Sequence, residues 1–284
     1  MLKIIECPRD AMQGLKTFIP TEVKAAYLNQ LLKVGFDTID FGSFVSPKAI
    51  PQMRDTAEVL SMLDLSGSVS KLLAIVANRR GAEDACAFPE ITYLGYPFSI
   101  SETFQLRNTN ATIAESLDRV KEIQELCIQH NKKLVLYVSM GFGNPYGDPW
   151  NVEIVQRWVD QLASLDINIL QLSDTIGVAN PQNISYLFSN LLPAYPQLEI
   201  GAHLHTTPQS WREKIEAAYQ CGCRRFDGAI KGYGGCPMAK DDLTGNMPTE
   251  NMVFYFLETQ QPIGLQLEEF GKSVAMAERV FPHE

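Results

Sequence analysis

No stretch of this 284-residue chain approaches the roughly 18 consecutive apolar residues of a membrane-spanning helix. Basic clusters are missing too: 24 Lys and Arg against 33 Asp and Glu leave a formal net charge of −9. With no basic stripe to meet phosphates, neither a nucleic acid nor an anionic membrane is the expected partner. The chain opens on the strand-like Leu2-Lys3-Ile4-Ile5, without the charged and apolar regions of a leader or an Arg-rich transit segment. A cytoplasmic location is the expectation. The six cysteines, Cys7, Cys86, Cys127, Cys221, Cys223 and Cys236, show no disulfide-framework spacing and read as reduced thiols, Cys221-Gly-Cys223 alone being a weak metal signal. No Pro/Ser-rich linker divides the chain. No glycine-rich turn follows the first strand candidate, which argues against an open dinucleotide-binding sheet.

What remains is a chain 45% hydrophobic, long enough to bury a large core, in which short β-branched runs alternate with amphipathic stretches. The runs at 2–6, 36–41, 71–76, 90–95, 133–139, 167–172, 198–204 and 224–228 predict eight strands. Between them 21–34, 111–130, 150–164, 180–192 and 208–221 carry apolar residues at helical spacing. Thr112 before Glu115 is a capping-box pattern, and Pro181 suits a first helical turn. The third connection, about 54–70, reads as partly helical. Eight strands interleaved with helices predict an α/β fold, a (β/α)8 TIM barrel spanning 1–284 as one domain, closed by helices over about 249–284.

In such a barrel the chemistry sits where the strands end. Histidine is scarce, four in all, and His203 and His205 stand at i and i+2 on a strand-like run, where both imidazoles face the same way and can grip one cation. Oxygen ligands would have to come from other strand ends. After the first strand, Arg9 and Asp10 set a carboxylate beside a fixed positive charge; the second ends with Asp40 and runs into Ser43 and Lys48; the sixth ends at Asp174. The eighth leads into Gly232-Tyr-Gly-Gly-Cys236 and then Asn246. Each has a plainer reading: a satisfied histidine pair, a surface ion pair for Arg9 and Asp10, a turn or cap for Asp174.

Together these segments resemble the 3-hydroxy-3-methylglutaryl-CoA lyase family, within the wider group of metal-dependent barrel lyases and acyl-CoA condensing enzymes, over nearly the whole chain. The carriers are Pro-Arg-Asp-x-x-Gln at 8–13, Ser-Phe-Val-Ser-Pro-Lys at 43–48, Pro-Gln-Met at 51–53 and Asp-Thr-Ile-Gly-Val at 174–178. His203-Leu-His205, Gly-Gly-Cys-Pro at 234–237 and Gly-Asn-x-x-Thr-Glu at 245–250 complete them. The resemblance implies Mg2+ or Mn2+ on Asp10, His203, His205 and Asn246, and retro-aldol cleavage of an acyl-CoA thioester to acetyl-CoA and acetoacetate. It implies substrate contacts from Arg9, Gln13, Ser43 and Lys48. Arg9 would meet the developing enolate oxygen and Cys236 would protonate the enolate carbon. The base is left open among Asp10, Asp40 and Asp174, and so is a homodimer. Differences from the family pattern fall at Ala11 (glycine in the family), Asp40 (glutamate), Thr206 (aspartate), the 208–210 stretch, and one extra residue between Cys236 and Asn246. They leave room for a related lyase or a condensing enzyme using another oxo acid. A metal-binding barrel without catalysis is the alternative of another class; against it stands the presence of Arg9, Asp10, His203, His205, Cys236 and Asn246 at separate strand ends.

Overall fold

The computed structural model describes residues 1–235 and 244–281. Eight parallel strands close into a barrel in chain order: β1 (Lys3–Glu6), β2 (Thr38–Ser43), β3 (Lys71–Ile75), β4 (Ile91–Ser99), β5 (Lys133–Ser139), β6 (Ile169–Ser173), β7 (Glu199–His203) and β8 (Arg225–Gly228). The closing seam pairs β1 with β8 from Lys3 opposite Arg225 to Glu6 opposite Gly228. No helix among the described residues is long and apolar enough to cross a membrane.

Strand β5 shows how sequence becomes barrel. Leu134, Leu136 and Val138 point outward into the large core under the helices, while the alternate Val135 and Tyr137 point inward. The interior is unequal. Leu73, Ile75, Tyr93, Val135, Tyr137 and Ile169, on β3 to β6, form an apolar cluster; Gln171, Arg225 and Asp227, on β6 and β8, are polar and buried, with His203 of β7 beside Asp227. Outside, the helix Ile113–Gln129 starts at the expected capping box, Thr112 and Glu115 bonding each other's backbone. It buries Leu117, Val120, Ile123 and Cys127 at spacings of three and four. Each aliphatic side chain so buried stabilises by about 1.5–3 kcal/mol, against about 1 for the cap.

All eight expected strands are present, and so are helices at Thr21–Leu32, Val152–Ala163, Pro181–Ala194, Trp211–Gln220, Thr249–Glu258 and Leu267–Val280. The last packs back on the first of these through Gln30 and Glu269. Strand β4 runs to Ser99 rather than stopping before Pro97. Beyond Gly95, opposite the end of β3, it pairs only with β5, so Pro97 costs no ladder bond on that free side. Three short helices were not anticipated: Pro8–Gln13, Arg79–Cys86 and Glu102–Thr109. The last is fixed from a distance, Asp148 accepting from Ser101 Oγ at 2.5 Å, Thr103 N at 3.0 Å and Thr103 Oγ1 at 2.9 Å.

Candidate active site

The segment after β1 is not a loop. Pro8 takes the first helical position, and the single turn and a half of Pro8–Gln13 aims Arg9, Asp10 and Gln13 at one point. Arg9 Nη1 donates to Asp10 Oδ1 at 2.9 Å and to Gln13 Oε1 at 2.9 Å, and Gln13 Nε2 donates to Asp10 Oδ1 at 2.7 Å. From the neighbouring β2, Asp40 receives Arg9 Nε at 3.1 Å and Nη2 at 2.5 Å. Asp40 is fully buried behind Arg9. Burial lifts its carboxyl to about 6 against the pull of Arg9. For Asp10 burial also pushes upward, but Arg9, His203, Asn246 and His205 together outweigh it and hold the carboxyl below its ordinary value.

His203 ends β7 and His205 begins a two-residue antiparallel ladder, its partner in register being Asn246. That register sets Asn246 beside the histidines, with Nδ2 donating to Asp10 Oδ2 at 2.7 Å and to the Tyr233 carbonyl at 2.9 Å. The imidazole centroids are 5.4 Å apart. One donor atom from each of Asp10, His203 and His205 falls within 4.8 Å of the others. His205 Nδ1 is buried with no hydrogen-bond partner among the described residues, as a waiting ligand atom would be. Burial and the adjacent His203 bring the His205 pKa down to about 3, so this ring is neutral. For His203, burial pulls down, but the bond to Asp227 and the charges of Asp227 and Asp10 outweigh it and raise the pKa above 6.5. A second donor set, Cys7, His203 and Asp227, shares His203. Burial holds the Cys7 thiol well above its ordinary value, with nearby carboxylates adding to the shift. A protonated thiol is a poor ligand, which favours the Asp10 set.

These groups open on a cavity of about 380 Å³ lined by Arg9, Asp10, Gln13, His203 and His205 together with the polar Ser139, Ser173, Thr175 and Tyr137 and the apolar Ile50, Pro97 and Phe104. Of the other expected site residues, Asp40, Ser43, Lys48, Asp174 and Asn246 are not among those lining it. Asp174, just past β6, is buried and takes Lys214 Nζ at 2.8 Å and Ala179 N at 2.8 Å. Lys214 also donates to the His205 carbonyl at 2.7 Å, so Asp174 fixes a proposed ligand's backbone rather than facing the cavity. Ser43 is buried, with Oγ turned to Val45 N at 3.2 Å. Lys48 is exposed, between the wall residues Val45 and Ala49. Cys236 lies outside the described residues; just before it, Gly234 has φ +83° and sits so close that a Cβ there would lie 2.6 Å from the Asp10 carbonyl oxygen. Sequence reading missed Tyr137, Asp227, Gln171 and Lys214. Each is polar or aromatic on a buried segment, but what it touches depends on strand register.

The architecture is thus a parallel (β/α)8 barrel with a candidate divalent-cation site at the C-terminal ends of its strands. The chain belongs to the HMGL-like family, whose model matches residues 2–276, and with it to the carbon–carbon lyases. It is 34% identical to a hydroxymethylglutaryl-CoA lyase of Bacillus subtilis over 92% of this chain and 87% of that protein. It is 32% identical to a cytoplasmic 3-hydroxy-3-methylglutaryl-CoA lyase of Rattus norvegicus, over 89% and 73%. Among solved structures, an HMG-CoA lyase from Acinetobacter baumannii, in complex with coenzyme A and 3-methylmalate, superposes with a TM-score of 0.91 at 32% identity, over 99% of this chain and 91% of that one.

Proposed function

We propose that the chain cleaves 3-hydroxy-3-methylglutaryl-CoA to acetyl-CoA and acetoacetate, using Mg2+ or Mn2+ held by Asp10, His203, His205 and the side-chain oxygen of Asn246. The observation that carries this reading is the convergence of Asp10, His203 and His205 on one cavity beside Arg9. Two imidazoles and two oxygens are a donor set that would suit such a cation. When bound it supplies Lewis-acid polarisation, lowering the pKa of the substrate's tertiary hydroxyl.

The residues divide the remaining work. Of the three carboxylates considered, Asp10 alone lines the cavity, and its low pKa keeps it ionised to accept the hydroxyl proton. As the O–H pair becomes a carbonyl, the adjacent C–C bond breaks and its electrons pass to the thioester enolate. Arg9 has five N–H donors, four of them engaged by Asp40, Asp10 and Gln13. The remaining Nη2 hydrogen meets the enolate oxygen, where charge appears in the transition state. Cys236 then delivers a proton to the enolate carbon, and Asp40 and Asp174 act as positioning residues. The test is acetoacetate formation from 3-hydroxy-3-methylglutaryl-CoA with added Mn2+. Metal-loaded protein that releases none, while cleaving a different 3-hydroxyacyl-CoA, would reassign the substrate; loaded protein inert to all would return it to the class of non-catalytic barrels.

A pH signature follows. The raised His203 pKa means that the metal-free protein holds that proton above pH 6.5, so protons and cation compete there. His205, near 3, and Asp10 have none to give. Mn2+ affinity should therefore fall as pH is lowered through the His203 value, with about one proton released per ion rather than two. Calorimetric titration in buffers of different ionisation enthalpy counts the proton; a count of two would show that His205 is also protonated.

A further inference from the structure

A histidine that binds a cation must present a bare ring nitrogen, and for His203 the strand register places the means of choosing it directly behind the ring. His203 on β7 stands opposite Asp227 on β8. Its Nδ1 lies 3.1 Å from Asp227 Oδ2. The other oxygen, Oδ1, receives Gln171 Nε2 at 2.6 Å, although Gln171 is on β6, two strands away. The strand between is crossed at Gly201, which is Gln171's own partner in register. A Cβ at position 201 would sit 2.1 Å from Gln171 Oε1, so only glycine leaves the passage open. Gln171 and Asp227 are both buried, 0% and 2% exposed. The nitrogen end of the Gln171 amide must face Asp227, since a carboxylate only accepts.

We propose that Asp227, itself oriented by Gln171 across Gly201, is a positioning residue that fixes the proton of neutral His203 on Nδ1 and turns the bare Nε2 toward Asp10 and His205. The inference rests on the cation reading above. Asp227 is a carboxylate and offers Nδ1 only an acceptor oxygen, so the contact holds only with Nδ1 as the donor, and the ring cannot rotate without breaking that bond. Metal-bound imidazoles are commonly held this way, and loss of the outer partner typically weakens metal affinity about 10–100-fold.

The first test needs no variant. In metal-free protein with 15N-labelled histidine, at a pH where the ring is neutral, long-range 1H–15N correlation should show His203 protonated on Nδ1. A proton on Nε2 overturns the proposal. Asp227→Asn supplies the second. Gln171 Nε2 will claim the new amide's oxygen, leaving its NH2 to donate to Nδ1 and drive the ring proton to Nε2. The Kd for Mn2+ should rise about 10–100-fold with the tautomer reversed. Adding Gln171→Met frees the amide to turn its oxygen to His203, so the double variant should recover both the tautomer and most of the affinity. A loss of packing alone would not be repaired by a second substitution. Unchanged Kd in Asp227→Asn, or a double variant no tighter than the single, overturns the assignment; if Asp227→Asn does not fold, the wild-type spectrum decides. Wild type that binds Mn2+ and shows Nδ1–H but cleaves no thioester would sink the proposed reaction and leave this inference standing. Wild type that takes up no Mn2+ would sink both.

Discussion

Arg9→Met is expected to lower turnover by about 100–1,000-fold, the usual loss when one donor aimed at transition-state charge is removed, while Mn2+ is still bound. The same substitution should destabilise the fold, because Arg9 is the partner of a carboxylate with no exposure at all. Breaking one side of a buried pair typically costs about 3–5 kcal/mol. The sign of the pH dependence follows from Asp40. Its folded pKa, about 6, already lies above the unfolded value, so the folded state binds the proton more tightly and loses stability as pH rises from about 4 through 6. Without Arg9 that pKa climbs further, and the variant's deficit relative to wild type should widen with pH. Urea denaturation at pH 5 and at pH 8 measures this. Arg9→Met combined with Asp40→Asn should regain most of the stability and none of the turnover. If activity returned with stability, Arg9 would be a structural residue and the enolate argument would fail.

Asp10→Asn removes an anion rather than a cation, and its effect should be on metal retention. A ligand charge at a divalent site is worth several kcal/mol; at about 4 the Kd for Mn2+ would rise roughly a thousandfold. The amide cannot restore the local order either. Asp10 accepts from Arg9, Gln13 and Asn246 at once, and an asparagine must turn its own NH2 toward at least one of these donors. Equilibrium dialysis against Mn2+ reads the loss, and acetoacetate release should fall in parallel at fixed metal concentration. Wild-type affinity in Asp10→Asn would exclude Asp10 from the coordination shell.

The barrel was legible because inward and outward positions alternate at period two on strands such as β5, while helices such as Ile113–Gln129 repeat at three to four. The short helices escaped for a physical reason: six or eight residues give too few turns for periodicity, and Glu102–Thr109 depends on Asp148, more than forty residues away. At the site, His203 and His205 were readable from their spacing and rarity, and Arg9 and Asp10 from their place after β1. Asp40, read as a candidate base, is the anchor of Arg9, and Asp174, read likewise, is the anchor of Lys214. A carboxylate's letter in the sequence does not say whether its oxygens are already taken. Asp227 was invisible because its meaning is the residue opposite, and that is set only when β7 and β8 lie side by side.

The cavity's donor atoms come from the two extremes of the chain: Asp10 follows the first strand, whereas His203, His205 and Asn246 surround the last. Between them runs the β1–β8 seam, the pairing that turns a curled sheet into a cylinder. An open sheet has no such cluster, so a cation held there as proposed would recognise only the closed form and act as a clasp across that joint. By mass action, occupancy at a hundred times Kd would add about 2.7 kcal/mol to that joint. Metal supply would then govern how long the cylinder stays shut as well as whether it reacts.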